Sequence, residues 1–226
     1  MLTGYLKKTG MGRIGIMIIG NVIIGLGISV FKLSGLGNDP YSGMVMSMGA
    51  LLNMPYANFQ VMLNIALLMI EIFAGRKYIG AGTIVNALFL GYFSTFFNFV
   101  LAHTVNAPEK MWQRVIVVCL GVIICSLGLS LYQTADVGVA PYDSLPMILT
   151  DRWPKIPYFC YRIFLDALFA LICYLAGGIV GLGTLVSAFG LGYFINLFNM
   201  RLSGKLLKWI EHGRYPGKIY GVAEKS

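Results

Sequence analysis

Two short motifs carry the residues best placed for chemistry: Asn38-Asp39-Pro40-Tyr41-Ser42 and Val139-Ala140-Pro141-Tyr142-Asp143. Proline is favoured at the first position of a helix, where its missing N–H would have had no partner, and an aspartate before it caps the free N–H groups of the first turn. Pro40, preceded by Asp39, and Pro141 therefore each predict a helix start, with partial positive charge at its end. Two such ends can hold the anionic or hydrogen-bonding groups of a small molecule, with Tyr41 and Tyr142 supplying flat faces. The alternative is that both prolines simply begin packed half-helices that hold no ligand.

A second set lies within apolar stretches. Arg162 and Asp166 are spaced i, i+4 on one helix face, and Gln60 and Asn64 occupy the equivalent face earlier in the chain. An ionisable side chain among apolar residues is costly and is by default a functional candidate, so Asp166, together with Asp143, is the candidate carrier of a coupling proton. An intrahelical ion pair is the competing account, and Arg162, five residues after Pro157, has the option of snorkelling to the interface. Asn86 and Ser187 join the candidate site as equivalent polar positions, although interhelical hydrogen bonding is the ordinary use of such residues. Glu71 is expected to pair with Arg76 and Lys77 about one turn further on.

Other chemistries lack their residues. The chain has two histidines, His103 and His212, both outside the apolar blocks, which removes the usual general base and metal ligand. Cys119, Cys125, Cys160 and Cys173 show no C-x-x-C spacing and read as packing residues. The G-x-G-T motifs at 80–83 and 181–184 have no following lysine and no preceding strand, so they read as close-packing sites rather than phosphate loops. No enzyme activity, cofactor or metal is expected. The 17 Lys and Arg flank apolar blocks instead of forming a basic face, so no nucleic-acid partner is expected either.

The elements that must position these residues follow from composition. Of 226 residues, 58% are hydrophobic and 12% charged, about half the charge of a soluble domain. The sequence predicts an all-α polytopic membrane protein with the lipid bilayer as its first partner. Apolar spans are predicted at 14–31, 57–75, 79–100, 115–133, 157–176 and 179–200, near the roughly 20 residues that cross a bilayer. The first follows Lys7, Lys8 and Arg13 as a signal peptide would, but no small-residue cleavage site follows it, so it is read as a retained span. The segments 40–53 and 141–150 are too short to cross and read as re-entrant half-helices.

The chain also repeats itself at a shift of about 101. Gly20, Gly27, Ser29, Gly37, Pro40 and Tyr41 recur as Gly121, Gly128, Ser130, Gly138, Pro141 and Tyr142, and 79–100 matches 180–201 at 11 of 22 positions. Shared hydrophobicity alone would not place glycine, proline and tyrosine in register, so the chain is a tandem duplication: 1–104, 105–201, and an amphipathic cytoplasmic tail at 202–226 built around Leu202, Leu206, Trp209 and Ile210. Three spans per half predict two inverted repeats. Lys7, Lys8, Arg13, Arg76, Lys77, Arg152, Lys155 and the basic tail then share one side, which places both termini in the cytoplasm. Counting the half-helices as spans would give eight crossings and move Arg76 and Lys77 outside.

The G-x-G-x-S span, the Gly-x-x-Pro-Tyr-[Asp/Ser] motif after it and the G-x-G-T…G-Y-F span resemble the bacterial YczE/YyaS/YitT membrane-protein family, most closely its YczE-like branch, over roughly residues 10–210. The resemblance implies a bacterial plasma membrane and carries no catalytic residues. The function expected from the residues is a small transporter or channel, alone or as a homo-oligomer, for a polar molecule, anionic ones included. Its midplane site would comprise Asp39, Pro40, Tyr41, Asn64, Asn86, Pro141, Tyr142, Asp143, Arg162, Asp166 and Ser187. The runner-up is a non-transporting scaffold or regulatory subunit of another complex.

Overall fold

A computed structural model of the chain describes residues 10–211. These form α1 Met11–Ser34, α2 Pro40–Leu51, α3 Tyr56–Ala74, a 3₁₀ turn Arg76–Tyr78, α4 Ala81–Thr104, α5 Met111–Thr134, α6 Pro141–Arg152, α7 Tyr158–Leu175, α8 Leu182–Phe198, a π turn Asn199–Ser203 and α9 Gly204–Glu211. The described residues contain no strand. Six helices are long and apolar enough to cross a membrane: α1, α3, α4, α5, α7 and the stretch Leu182–Leu207.

The fold is turned inside out relative to a soluble domain. Phe73, Phe99, Phe189 and Tyr193 stand exposed on the outer surface, whereas Asn21, Gln60, Asn64, Thr83, Ser126 and Ser187 are buried. In hydrocarbon an unsatisfied polar group costs several kcal/mol, roughly 2–7, while an aromatic or aliphatic side chain is as well solvated as the lipid itself.

α1 and α5 form the centre. A Cβ on Gly20 would lie 2.8 Å from the Gly128 carbonyl oxygen, so only glycine lets the two backbones meet there. Along the seam, Gly20 meets Gly128, Gly27 meets Cys125 and Phe31 meets Gly121. Numbers rise on one helix as they fall on the other, so the two run antiparallel.

The extended legs before α2 and α6 are seated on the other half of the chain. The Leu36 carbonyl accepts from Gly183 N–H at 2.9 Å, and the Val137 carbonyl accepts from Gly82 N–H at 2.8 Å. Each pair is the other shifted by 101 residues. Each leg contains a glycine in the left-handed region, Gly37 at φ +99° and Gly138 at φ +112°. The G-x-G-T motifs are the seats for these legs. Their threonines also satisfy the helix starts, with Gly80 N–H donating to Thr83 Oγ1 at 3.0 Å and Gly181 N–H to Thr184 Oγ1 at 3.5 Å.

The tail differs from the expected surface helix at its beginning. α8 passes through the π turn directly into α9, Ser203 is fully buried, and Leu207 packs into the central core. The π turn is tied down by Asn199 Oδ1, which accepts from Ser130 at 2.6 Å and Thr134 at 3.0 Å. Arg214 and the rest of the tail beyond 211 lie outside the described residues, as do Lys7 and Lys8.

Candidate functional site

The two short helices bring their first turns together. Asp39 caps α2, accepting from Ser42 N–H at 3.0 Å, while α6 begins at Pro141 with Ala140 before it and no side-chain cap. From these starts Tyr41 and Tyr142 project onto each other, ring centroids 4.5 Å apart and planes 10° from parallel. Phe169 of α7 presents its edge to both rings.

Each tyrosine hydroxyl is held by the neighbouring long helix of its own half. Tyr41 donates to Asn64 Oδ1 at 2.6 Å, and Tyr142 donates to Asp166 Oδ1. These pairs are repeat-related, yet only the second contains a charge. Arg162 is bound to Asp143 at 2.6 Å and to Asp166 at 3.4 Å, and its guanidinium lies 4.6 Å from the centre of the Tyr142 ring. Asp143 and Asp166 are each 5% exposed. Arg162 therefore turns inward rather than snorkelling, and it stacks on the Tyr142 face not covered by Tyr41. The flat faces expected for a ligand are occupied by the protein's own groups in this state.

Asp39, Pro40, Tyr41, Asn64, Pro141, Tyr142, Asp143, Arg162 and Asp166 thus gather in one centre. Asn86 and Ser187 do not join it. Asn86 donates to Asn21 Oδ1 at 2.8 Å and ties α4 to α1, and Ser187 donates within its own helix to the Thr184 carbonyl at 2.9 Å. Both serve helix packing, the ordinary role of such residues.

Glu71 requires a correction. It does not pair with Arg76 or Lys77: α3 ends at Ala74, the chain turns at Gly75, and the two cations point outward. Lys77 instead binds Asp151 at 2.7 Å, and the same carboxylate oxygen accepts from the Tyr78 hydroxyl at 2.7 Å. This latch joins the turn after α3 to the end of α6. Burial, followed by Asp151 as acceptor, pushes the Tyr78 hydroxyl up to about 12.

At the opposite end of the bundle are two cavities. One of about 400 Å³ is lined by Lys32, Met46, Tyr56, Tyr92, Ser94 and Asn98 among others; one of about 270 Å³ includes Lys32, Asn38, Gly43, Met46, Ser47 and Gly178. Lys32 and Met46 border both. Tyr56 lines the larger one, and its hydroxyl is buried without a hydrogen-bond partner among the described residues, as, elsewhere, are Asp39 Oδ1 and the Gln60 amide. Motif reading passed over Lys32 and Tyr56 because neither stands in a motif; their shared place at a cavity wall arises only from folding.

Comparison with known proteins matches residues 11–200 to DUF6198, a family of unknown function. The chain belongs to this family. It is 26% identical to the uncharacterized membrane protein YczE of Bacillus subtilis over 84% of this chain and 86% of that one. It is 24% identical to YyaS of the same organism over 80% and 89%, and 28% identical to an uncharacterized protein of Haemophilus influenzae over 82% of each. The likeness to YczE and YyaS read from the motifs is thereby established, and with six candidate spans the chain is a multi-pass membrane protein. No solved structure matches.

Proposed function

We propose that this DUF6198 chain is a plasma-membrane transporter for a polar small molecule, built from two inverted repeats with both termini cytoplasmic. The observation that carries this reading is the cluster of buried Asp143 and Asp166 with half-buried Arg162 between the starts of α2 and α6. Burying charges costs several kcal/mol per ion, and well-packed apolar residues are often at least as stable in their place. The first half closes the equivalent position with neutral Gln60 and Asn64. Stability alone therefore gives no reason for the charges.

The antiparallel seam between α1 and α5 and the exchanged legs support the inverted arrangement. α2 and α6, at 12 residues each, reach only about 18 Å at 1.5 Å per residue, well short of the roughly 30 Å hydrocarbon core. That length favours re-entry over eight crossings. Basic residues Arg13, Arg76, Lys77, Arg152 and Lys155 on one end favour that end as cytoplasmic. The Lys32-bordered cavities then form an outward vestibule, and the stacked tyrosines are the closed barrier between it and the other side. Binding and passage, not catalysis, are the proposed activity.

A thermal-shift screen of polar metabolites, cationic, neutral and anionic, on the purified chain tests the reading, since a ligand that binds only the folded state raises the melting temperature by mass action. Hits should lose their effect on Arg162→Gln/Asp143→Ser/Asp166→Asn, the variant that recreates Gln60, Ser42 and Asn64 of the first half. Direct contact between the tyrosine rings favours a second reading, a packed scaffold subunit. Its signature is a stoichiometric protein partner on purification with no metabolite shift.

A further inference from the structure

Glu71 is fully buried on α3, with neither carboxylate oxygen hydrogen-bonded to any group among the described residues. Tyr132 of α5 stands near it, and its hydroxyl is also buried and unpartnered. Ser144 of α6 lies beside the carboxyl, but its hydroxyl donates to the Pro141 carbonyl at 3.0 Å. The charged groups on neighbouring elements are engaged elsewhere. Asp143 is held by Arg162, Lys77 and Tyr78 by Asp151, and Arg76 is exposed.

The other half shows that this place needs no acid. At the repeat shift, Glu71, Tyr132 and Ser144 correspond to Cys173, Phe31 and Gly43. There the Cys173 sulfur packs 3.4 Å from where a Cβ on Gly43 would stand. The equivalent place thus carries sulfur and carbon instead of an acid, beside the smaller cavity.

We infer that Glu71 is a proton-binding site, holding H⁺ as a neutral carboxylic acid in the closed structure. An isolated ionised carboxylate in a dry interior is too costly to persist and takes up a proton instead. A metal ion would need a fuller oxygen shell than one carboxyl and one phenol provide. The proton has a route out along the seam between α3 and α6, where Glu71 faces Ser144, Gly75 faces Ile148 one turn on, and Lys77 and Tyr78 bind Asp151 at the exposed end. Parting that seam hydrates the acid and frees its proton to the same side as the latch. The inference adds the coupling ion to the transporter reading and assigns it to Glu71 instead of Asp166, which is already paired with Arg162 and the Tyr142 hydroxyl.

Infrared spectra of the purified chain in lipid nanodiscs test it. Wild type at neutral pH should show a carboxylic-acid C=O band that shifts in D₂O, is absent from Glu71→Gln and is kept in Asp166→Asn. Loosening the latch with Lys77→Ala/Asp151→Ala should speed deuterium exchange of that band. No band in wild type, a band surviving Glu71→Gln, or a band appearing only when sodium is replaced by choline would overturn the site. Unchanged exchange in the latch variant would overturn the route. If Glu71→Gln does not fold, Glu71→Asp must move the band, and an unmoved band excludes Glu71. The band reports the proton whether or not any solute is carried, so its failure is separable from failure of the transporter reading.

Discussion

Tyr41 and Tyr142 stack face to face at 4.5 Å while their hydroxyls go to Asn64 and Asp166. A pair of equivalent tyrosines is thus anchored once by an amide and once by a carboxylate, and that difference makes the centre asymmetric in charge.

This asymmetry sets the outcome at Asp166. Because Arg162 also holds Asp143 at 2.6 Å, Asp166→Asn does not strand the cation, and Asn64 shows that an amide fits under a tyrosine hydroxyl. Asp166→Asn should melt within about 1–2 kcal/mol of wild type yet lose ligand response, whereas Asp143→Ser/Asp166→Asn should fall by roughly 3–5 kcal/mol. Adding Arg162→Gln should restore the melting temperature. Equal stability of the double and triple variants would show that the cation does not depend on these carboxylates.

Gly138 should tolerate no side chain. Its φ of +112° is strained for any L-residue, and a Cβ there would stand 2.5 Å from the Gly80 nitrogen. Gly138→Ala should cost about 2–4 kcal/mol from strain and overlap together. Thermal unfolding in detergent measures it, with Gly177→Ala as control, since that glycine has positive φ but open space.

The latch should be insensitive to pH near neutrality. Burial pulls the Asp151 carboxyl up, but the bonds from Lys77 and Tyr78 outweigh it and hold it below its usual range. A carboxyl lowered in the folded state contributes stability above its unfolded value, roughly pH 4, and loses it as pH falls through the lower folded one. Lys77, raised chiefly by its bond to Asp151, keeps its charge past its usual value of about pH 10. Both groups are largely exposed, so wild type and Asp151→Asn should differ by at most about 1 kcal/mol from pH 5 to 8 and converge below about pH 4. Melting curves across that range decide it.

Sidedness can be read with single cysteines in a background lacking the four native ones. Lys77→Cys should react with an impermeant thiol reagent from the cytoplasm, and Ile179→Cys from outside. Ile179 replaces the equivalent turn glycine as the probe because a Cβ on Gly178 would stand 2.7 Å from the Ser47 Cβ and 2.9 Å from the backbone carbonyl oxygen of Cys173, while Ile179 is 62% exposed. Reaction of both from one face would refute the inverted arrangement.

The spans, the half-helix starts and the duplication were legible in the sequence by itself because each depends on local chemistry: apolar length, proline at a first turn, and glycine, proline and tyrosine recurring at one shift. The Arg162–Asp166 pair was legible for the same reason, being one turn apart on one helix. Which groups meet across helices was not. Tyr142 on Asp166, Arg162 on Asp143 and Lys77 on Asp151 depend on how α6 lies against α7 and α3, and no spacing encodes a crossing. Glu71 shows the reason most clearly. Sequence distance put it near Arg76 and Lys77, but the helix stops at Ala74 and the turn at Gly75 sends those cations outward. Only the packed structure, by closing α6 over that face of α3, decided that this carboxyl would be buried alone.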